Sequence, residues 1–140
     1  MIKNIKSEKL FSFPSHVDVR GSLSCIDDLK KIIPFETKRV FWIYDVCKNA
    51  VRGEHAHRTC EEVVIAINGH VDVELIDHNG NHSYKLDNPS KGLYIPTMCW
   101  CKFFNFSDGC VLLCFASEKY ESDGYINDFK VFLQEIILND

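Results

Sequence analysis

From residue 22 to residue 117 the chain is a succession of short segments in which apolar residues either alternate with polar ones or stand together, separated by turn-forming residues. Such segments predict strands. The candidates are "SLSCI" (22–26), "RVFWIYDV" (39–46), "EVVIAI" (62–67), "GLYIP" (92–96), "CWCKFFNF" (99–106) and "CVLLCFAS" (110–117). Among them "HVDVELIDHNGNHSYKL" sets Val71, Val73 and Leu75 against Asp72 and Glu74. It predicts a hairpin turning at Asn79-Gly80, a pair suited to the positive φ angles of a type I′ turn. "SDG" at 107–109 predicts a further tight turn. The strand region is expected to end near Ser117, where the period changes. Phe129, Phe132, Leu133, Ile136 and Ile137 recur at three- and four-residue spacing and predict one amphipathic C-terminal helix. The pattern as a whole reads as an all-β, double-stranded barrel closed by that helix.

With 140 residues the chain can bury one sizeable core and leaves little room for a second, so residues 1–140 are expected to form a single domain. No internal repeat or linker-like tract divides it. Sixteen basic against twenty acidic residues give a net charge of −4, without a basic tail or one-signed block, which argues against nucleic acid as a partner. The seven cysteines are odd in number, and most stand in strand-like contexts, so reduced thiols in a cytoplasmic protein are expected rather than a disulfide framework. The opening "MIKNIKSEKLFSFPS" lacks the continuous apolar stretch of a signal, and no apolar run is long enough to span a bilayer.

The chemistry concentrates in "RGEHAHRTCEEVVIAING" (52–69). On a strand His55 and His57 project from the same face, so two imidazoles line one cavity. Glu62 follows at a distance that leaves three roles open: metal ligand, partner orienting a histidine ring, or strand-end carboxylate beside Glu61. His70, His78 and His82, on or beside the predicted hairpin, are expected to face water.

The spacing of His55, His57, Glu62 and Gly69 resembles the first motif of the cupin family, small jelly-roll barrels. "GLYIPTMCWCKFFN", with Gly92, Pro96 and Asn105, resembles the second motif, although Cys101 stands where a third histidine ligand would be. A thiolate there could join His55, His57 and Glu62 around a borderline metal, or Cys101 could simply fill space in a strand. The resemblance narrows further. "DVRGSL", "KRVFWIYDV", "VRGEHAHR", "KGLYIPTMCW", "FSDGCVLLCFASEKY" and "GYINDF" occur in order between about residue 18 and residue 133. They are similar to blocks of the nucleotide-sugar 3,4-ketoisomerases, the WxcM-like cupins that act without metal on dTDP-4-keto-6-deoxy-D-glucose. The sequence departs from that pattern at Phe41, Glu62, Cys101 and Asn127, where Tyr, Gln, His or Arg, and Arg are common.

The resemblance implies a cupin-type double-stranded β-helix and a cytoplasmic homodimer, in some members with exchanged strands. It places the chain in the biosynthesis of 3-amino-3,6-dideoxy sugars for surface polysaccharide. No cofactor and no metal are expected. His55 is implied as lead base and His57 as second acid/base or orienting partner. An imidazole, with a reference pKa of about 6.5, can take and return a proton at neutral pH. Arg20 and Arg52 are candidates for the enediolate charge or the diphosphate, since Arg meets phosphate oxygens as a fork. Tyr94 and Trp100 are candidates for a stacking wall. "DVRG" further resembles members whose product has the galacto configuration at carbon 4. Two other readings stay open: a metal-dependent cupin enzyme using His55, His57 and Glu62, and a cupin that binds a nucleotide sugar without turnover.

Overall fold

The computed structural model describes Lys6 and residues 9–138. Twelve strands follow one another: β1 (Leu10–Ser12), β2 (Ser15–Asp18), β3 (Gly21–Ser24), β4 (Arg39–Ile43), β5 (Arg52–His57), β6 (Glu62–Asn68), β7 (Val71–Asp77), β8 (Gly80–Leu86), β9 (Lys91–Ile95), β10 (Trp100–Phe104), β11 (Val111–Ala116) and β12 (Tyr125–Ile126). A short helix α1 (Leu29–Ile32) precedes β4, and α2 (Phe129–Leu138) ends the described chain. One five-stranded antiparallel sheet runs β1-β9-β6-β11-β4 and the other β12-β5-β10-β7-β8. From β4 onward the chain passes back and forth between the two sheets, interrupted only by the β7–β8 hairpin, and so winds the jelly-roll barrel of a cupin. Among the described residues no helix is long and apolar enough to cross a membrane.

Between the sheets lies the main core. Val64, Ala66, Leu93, Ile95, Leu112 and Cys114 from the first sheet meet Val71, Val73, Leu75, Leu86, Cys101 and Phe103 from the second. Both sheets are also covered outside. Phe11, Phe13, Ile33, Val63, Ile65 and Tyr94 pack on the outer face of the first, with Ile32 of α1 against them. Ala56, Trp100 and Ile126 pack under Phe132 of α2 on the outer face of the second. This double cover explains why β6 reads as an uninterrupted apolar run: Val64 and Ala66 face inward while Val63 and Ile65 face the outer cluster.

Three expectations shift. The strand region does not end at Ser117, because β12 adds Tyr125 and Ile126 to the edge of β5. The β7–β8 loop is His78-Asn79 rather than Asn79-Gly80, with Asp77 paired to Gly80. Asp77 Oδ1 accepts the Asn79 N–H at 2.8 Å, and among residues 78–80 only Gly80, at φ 114°, adopts a positive φ. An aspartate preceding the turn thus fixes it by its side chain, and glycine supplies the left-handed residue one position later. The "SLSCI" strand begins earlier, at Gly21, and pairs with β2 in a hairpin of its own.

Candidate active site

Strand β5 carries the histidines, and a bulge sets their direction. Its ladder with β10 pairs Cys101 with His55 but Lys102 with Gly53, so Glu54 is the extra residue. Gly53 and Glu54 take φ values of 82° and 58°. A side chain at position 53 would place its Cβ 2.8 Å from the Cys101 carbonyl oxygen. Past the bulge Ala56 turns outward into the cluster beneath α2, and His55 and His57 turn inward. Their rings meet edge to face, 4.9 Å between centroids.

His57 and Glu62 are the buried part of the site, 3% and 5% exposed, with His57 Nε2 2.5 Å from Glu62 Oε1. They meet at ion-pair distance, but too bent for a hydrogen bond, and His57 Nε2 makes none with other protein groups. His55 is half-buried. Burial, then the neighbouring His57, push its pKa below 6.5, against the opposing pull of Glu62 and of a hydrogen bond with the Gly53 backbone. The ring is therefore neutral at pH 7 and can accept a proton.

Two further side chains complete the wall. Tyr125 packs on both imidazoles, with centroids 5.0 Å from His55 and 4.4 Å from His57. Arg39, opening β4 on the opposite sheet, lies over the rings of Phe41 at 5.0 Å and Tyr120 at 5.7 Å and acts electrostatically on the Tyr125 phenol. Burial raises the Tyr125 pKa, and Arg39 opposes that rise, so the phenol is protonated at neutral pH. Arg58 holds Tyr125 in place. Its Nη1 donates to the Asp123 and Tyr125 carbonyls at 2.9 and 3.2 Å, while Nη2 and Nε fork onto Glu135 of α2 at 2.7 and 3.2 Å.

His55, His57 and Glu62 have ligand-capable atoms within 4.8 Å of one another, a set of suitable chemistry for one divalent ion. Cys101 lies in the core between the sheets, fully buried, and burial pushes its thiol pKa far up, so it is a protonated filler of the barrel. Cys114 behaves alike. All seven cysteines are free.

The other sequence candidates lie elsewhere. Tyr94 is buried in the outer cluster of the first sheet and donates its hydroxyl to Glu61 Oε1. Trp100 is buried beneath α2 against Phe129 and Phe132. Neither is brought to the histidines. Arg52 is exposed at the start of β5. Arg20 sits at the tip of the β2–β3 hairpin, its side chain 87% exposed, forking onto Asp18 with Nη2 at 2.7 Å and Nε at 3.3 Å. His16, His70 and His78 are exposed, and His82 stands 3.4 Å from Asp77. Sequence reasoning missed Arg39 and Tyr125. The available signal was a charged residue opening an otherwise apolar strand, and a tyrosine inside the quoted block "GYINDF".

A family profile described as FdtA, WxcM-like, C-terminal, matches residues 6–137. The chain is 38% identical over 133 residues to the TDP-4-oxo-6-deoxy-alpha-D-glucose-3,4-oxoisomerase of Aneurinibacillus thermoaerophilus, covering 93% of this chain and 95% of that one. A 3,4-ketoisomerase structure from Helicobacter canadensis superposes with a TM-score of 0.85 at 39% identity, covering 94% and 97% of the two chains. A histidine-to-asparagine variant of the 3,4-ketoisomerase QdtA from Thermoanaerobacterium thermosaccharolyticum, in complex with TDP-4-keto-6-deoxyglucose, gives 0.85 at 36%, covering 91% of each. Paired histidines on the inner face of a jelly-roll strand and likeness over nearly the whole length agree, and the chain belongs to the WxcM-like family of sugar 3,4-ketoisomerases.

Proposed function

We propose that this protein converts dTDP-4-keto-6-deoxy-D-glucose to the 3-keto isomer of galacto configuration through a 3,4-enediolate. The observation that carries the reading is His55: neutral, half-exposed, on the inner face of the barrel beside a second imidazole. His55 takes the proton at carbon 3 and returns it to carbon 4. Positive charge stabilises the anionic intermediate more than the neutral ketone. Arg39 supplies that charge at the cavity wall, and Arg52 and Arg20 are assigned to the diphosphate. His57, buried against Glu62, orients His55. The reaction only exchanges oxidation states between neighbouring carbons, so its balance calls for no external oxidant or reductant. The "DVRG" block at Arg20 supports the galacto outcome.

The working form in this reading is a cytoplasmic homodimer with exchanged hairpins, serving the synthesis of 3-amino-3,6-dideoxy sugars for surface polysaccharide. Support for the dimer comes from β2 and β3, whose residues are all exposed and pair only with each other among the described strands.

The reading is tested by a proton NMR time course of chelator-treated protein with dTDP-4-keto-6-deoxy-D-glucose in deuterated water. A 3-keto product is expected, and its couplings report the configuration at carbon 4. Turnover only after a divalent ion is restored would instead support a metal enzyme built on His55, His57 and Glu62. Binding without turnover under any condition would leave a nucleotide-sugar-binding cupin.

A further inference from the structure

Shifting a ketone from carbon 4 to carbon 3 moves two hydrogens. One goes from C3 to C4, and the other from the oxygen on carbon 3 to the oxygen on carbon 4. An imidazole placed to work at carbon cannot also stand between the two oxygens. The second imidazole is 3% exposed and engaged with Glu62, so it does not present a free ring to substrate. Of the groups around the histidines, His55, Arg39 and Tyr125 are neither buried nor fully exposed. Arg39 stays charged and releases no proton at working pH. Phe41, the ring under Arg39, has no hydroxyl.

We propose that Tyr125 is a catalytic residue of this site, its phenol relaying the hydroxyl proton between the two substrate oxygens, with Arg39 as the positioning residue that stabilises the transient phenolate. The inference rests on the ketoisomerase reading. The steps balance. His55 first takes the proton from C3 to give the enediolate, whose C4 oxygen then takes the phenol proton, leaving an enediol, a phenolate and an imidazolium. The phenolate then takes the proton of the C3 hydroxyl, the carbonyl forms at C3, and the imidazolium delivers its proton to C4. Enzyme groups return to their starting states. No redox partner enters.

The fold supports this use of the residue. Tyr125 pairs with His57 through β12 and contacts both imidazoles, so phenol and base keep a fixed relation. Arg39 approaches from the other sheet, held over the rings of Phe41 and Tyr120, and Tyr120 in turn packs on Tyr125, which keeps the guanidinium beside the phenol. Glu62 and Cys60 act on the phenol electrostatically, and Tyr120 packs 5.6 Å from it.

The experiment compares wild type with Tyr125→Phe, which keeps the ring packing, and with Tyr120→Phe as control, using dTDP-4-keto-6-deoxy-D-glucose in deuterated water. Tyr125→Phe is expected to lower kcat about 100-fold or more with KM within about threefold, the size of effect usual for losing an acid/base group. Deuterium at C3 of recovered substrate should rise relative to product, because proton removal from carbon continues while oxygen transfer stalls. Arg39→Met should lower kcat, with part recovered in Arg39→Lys. A Tyr125→Phe enzyme within threefold of wild-type kcat, or a loss in Tyr120→Phe instead, overturns the assignment while leaving ketoisomerase activity standing. A wild-type protein that turns over none of this substrate overturns both.

Discussion

At position 53 the nearest neighbour is a backbone oxygen, which cannot rotate aside as a side chain could. With φ at 82° and the Cys101 carbonyl 2.8 Å from any added Cβ, Gly53→Ala must distort the bulge that aims His55. It should cost more than about 1 kcal/mol of stability, as expected where alanine is placed at an incompatible φ, and lower turnover with it. Thermal melts and kinetics measure both; an unchanged melting temperature would remove the strain argument. His55 itself makes a second expectation. His55→Asn should cut kcat by about two to four orders of magnitude without loss of fold. In the wild type, activity should fall as the base is protonated, with the acid inflection of kcat/KM below 6.5 because burial and His57 depress the pKa. The same shift links to stability. A folded-state pKa below the unfolded value gives a contribution that is complete above pH 6.5 and lost as the pH falls. His55→Asn should therefore flatten the decline of stability below that pH, and a pH series of denaturant melts that shows the same slope in both proteins would contradict the burial argument.

Between elements, the joint that matters most to the site is the docking of α2 and β12 on β5. Phe132 is fully buried there against Trp100, with Ala56 and Ile126 in the same cluster. Phe132→Ala should cost about 3–5 kcal/mol. It should also loosen Tyr125, so kcat should fall in the protein that remains folded; a variant that melts early yet keeps full kcat would uncouple the helix from the site. This joint also shows where pattern reading stops. Strands of five to seven residues, such as β6 with its continuous apolar run and β7 with its alternation, carry enough pattern to be legible, and so does the apolar stripe of α2. β12 has two residues and β1 three, too few for any period, so the strand that delivers Tyr125 was invisible. The two histidines were legible because they share a strand face. That Tyr94 and Trp100 pack in the outer clusters was not legible for a related reason: period 2 separates the two faces of a strand, but both faces of these sheets are covered, and alternation alone does not say which face is inner and which is outer. Arg39 comes from the opposite sheet, and only the winding of the chain brings it to Tyr125.

For the whole molecule the open matter is the β2–β3 hairpin. Val17, Val19 and Leu23 are exposed on it, and Val40, Trp42 and Tyr44 are exposed on or just beyond β4, the edge of the first sheet. An apolar hairpin with free edges and an apolar edge strand are both surfaces that proteins usually cover. Two copies related by a twofold axis can cover both at once, since each arm meets the other copy's edge. In that assembly Arg20, which among the described residues bonds to Asp18 of its own hairpin, would enter the partner's site. The expected mass in sedimentation is twice 16.2 kDa, and deletion of residues 15–24 should return the monomer. Activity gives the sharper test. His55→Asn and Arg20→Ala proteins, each impaired alone, should regain activity when unfolded together and refolded as a mixture. In a mixed dimer one site carries both defects and the other carries neither. Random pairing then yields up to about a quarter of the wild-type sites. If Arg20 instead serves its own barrel, every site in every dimer carries one defect and mixing restores nothing.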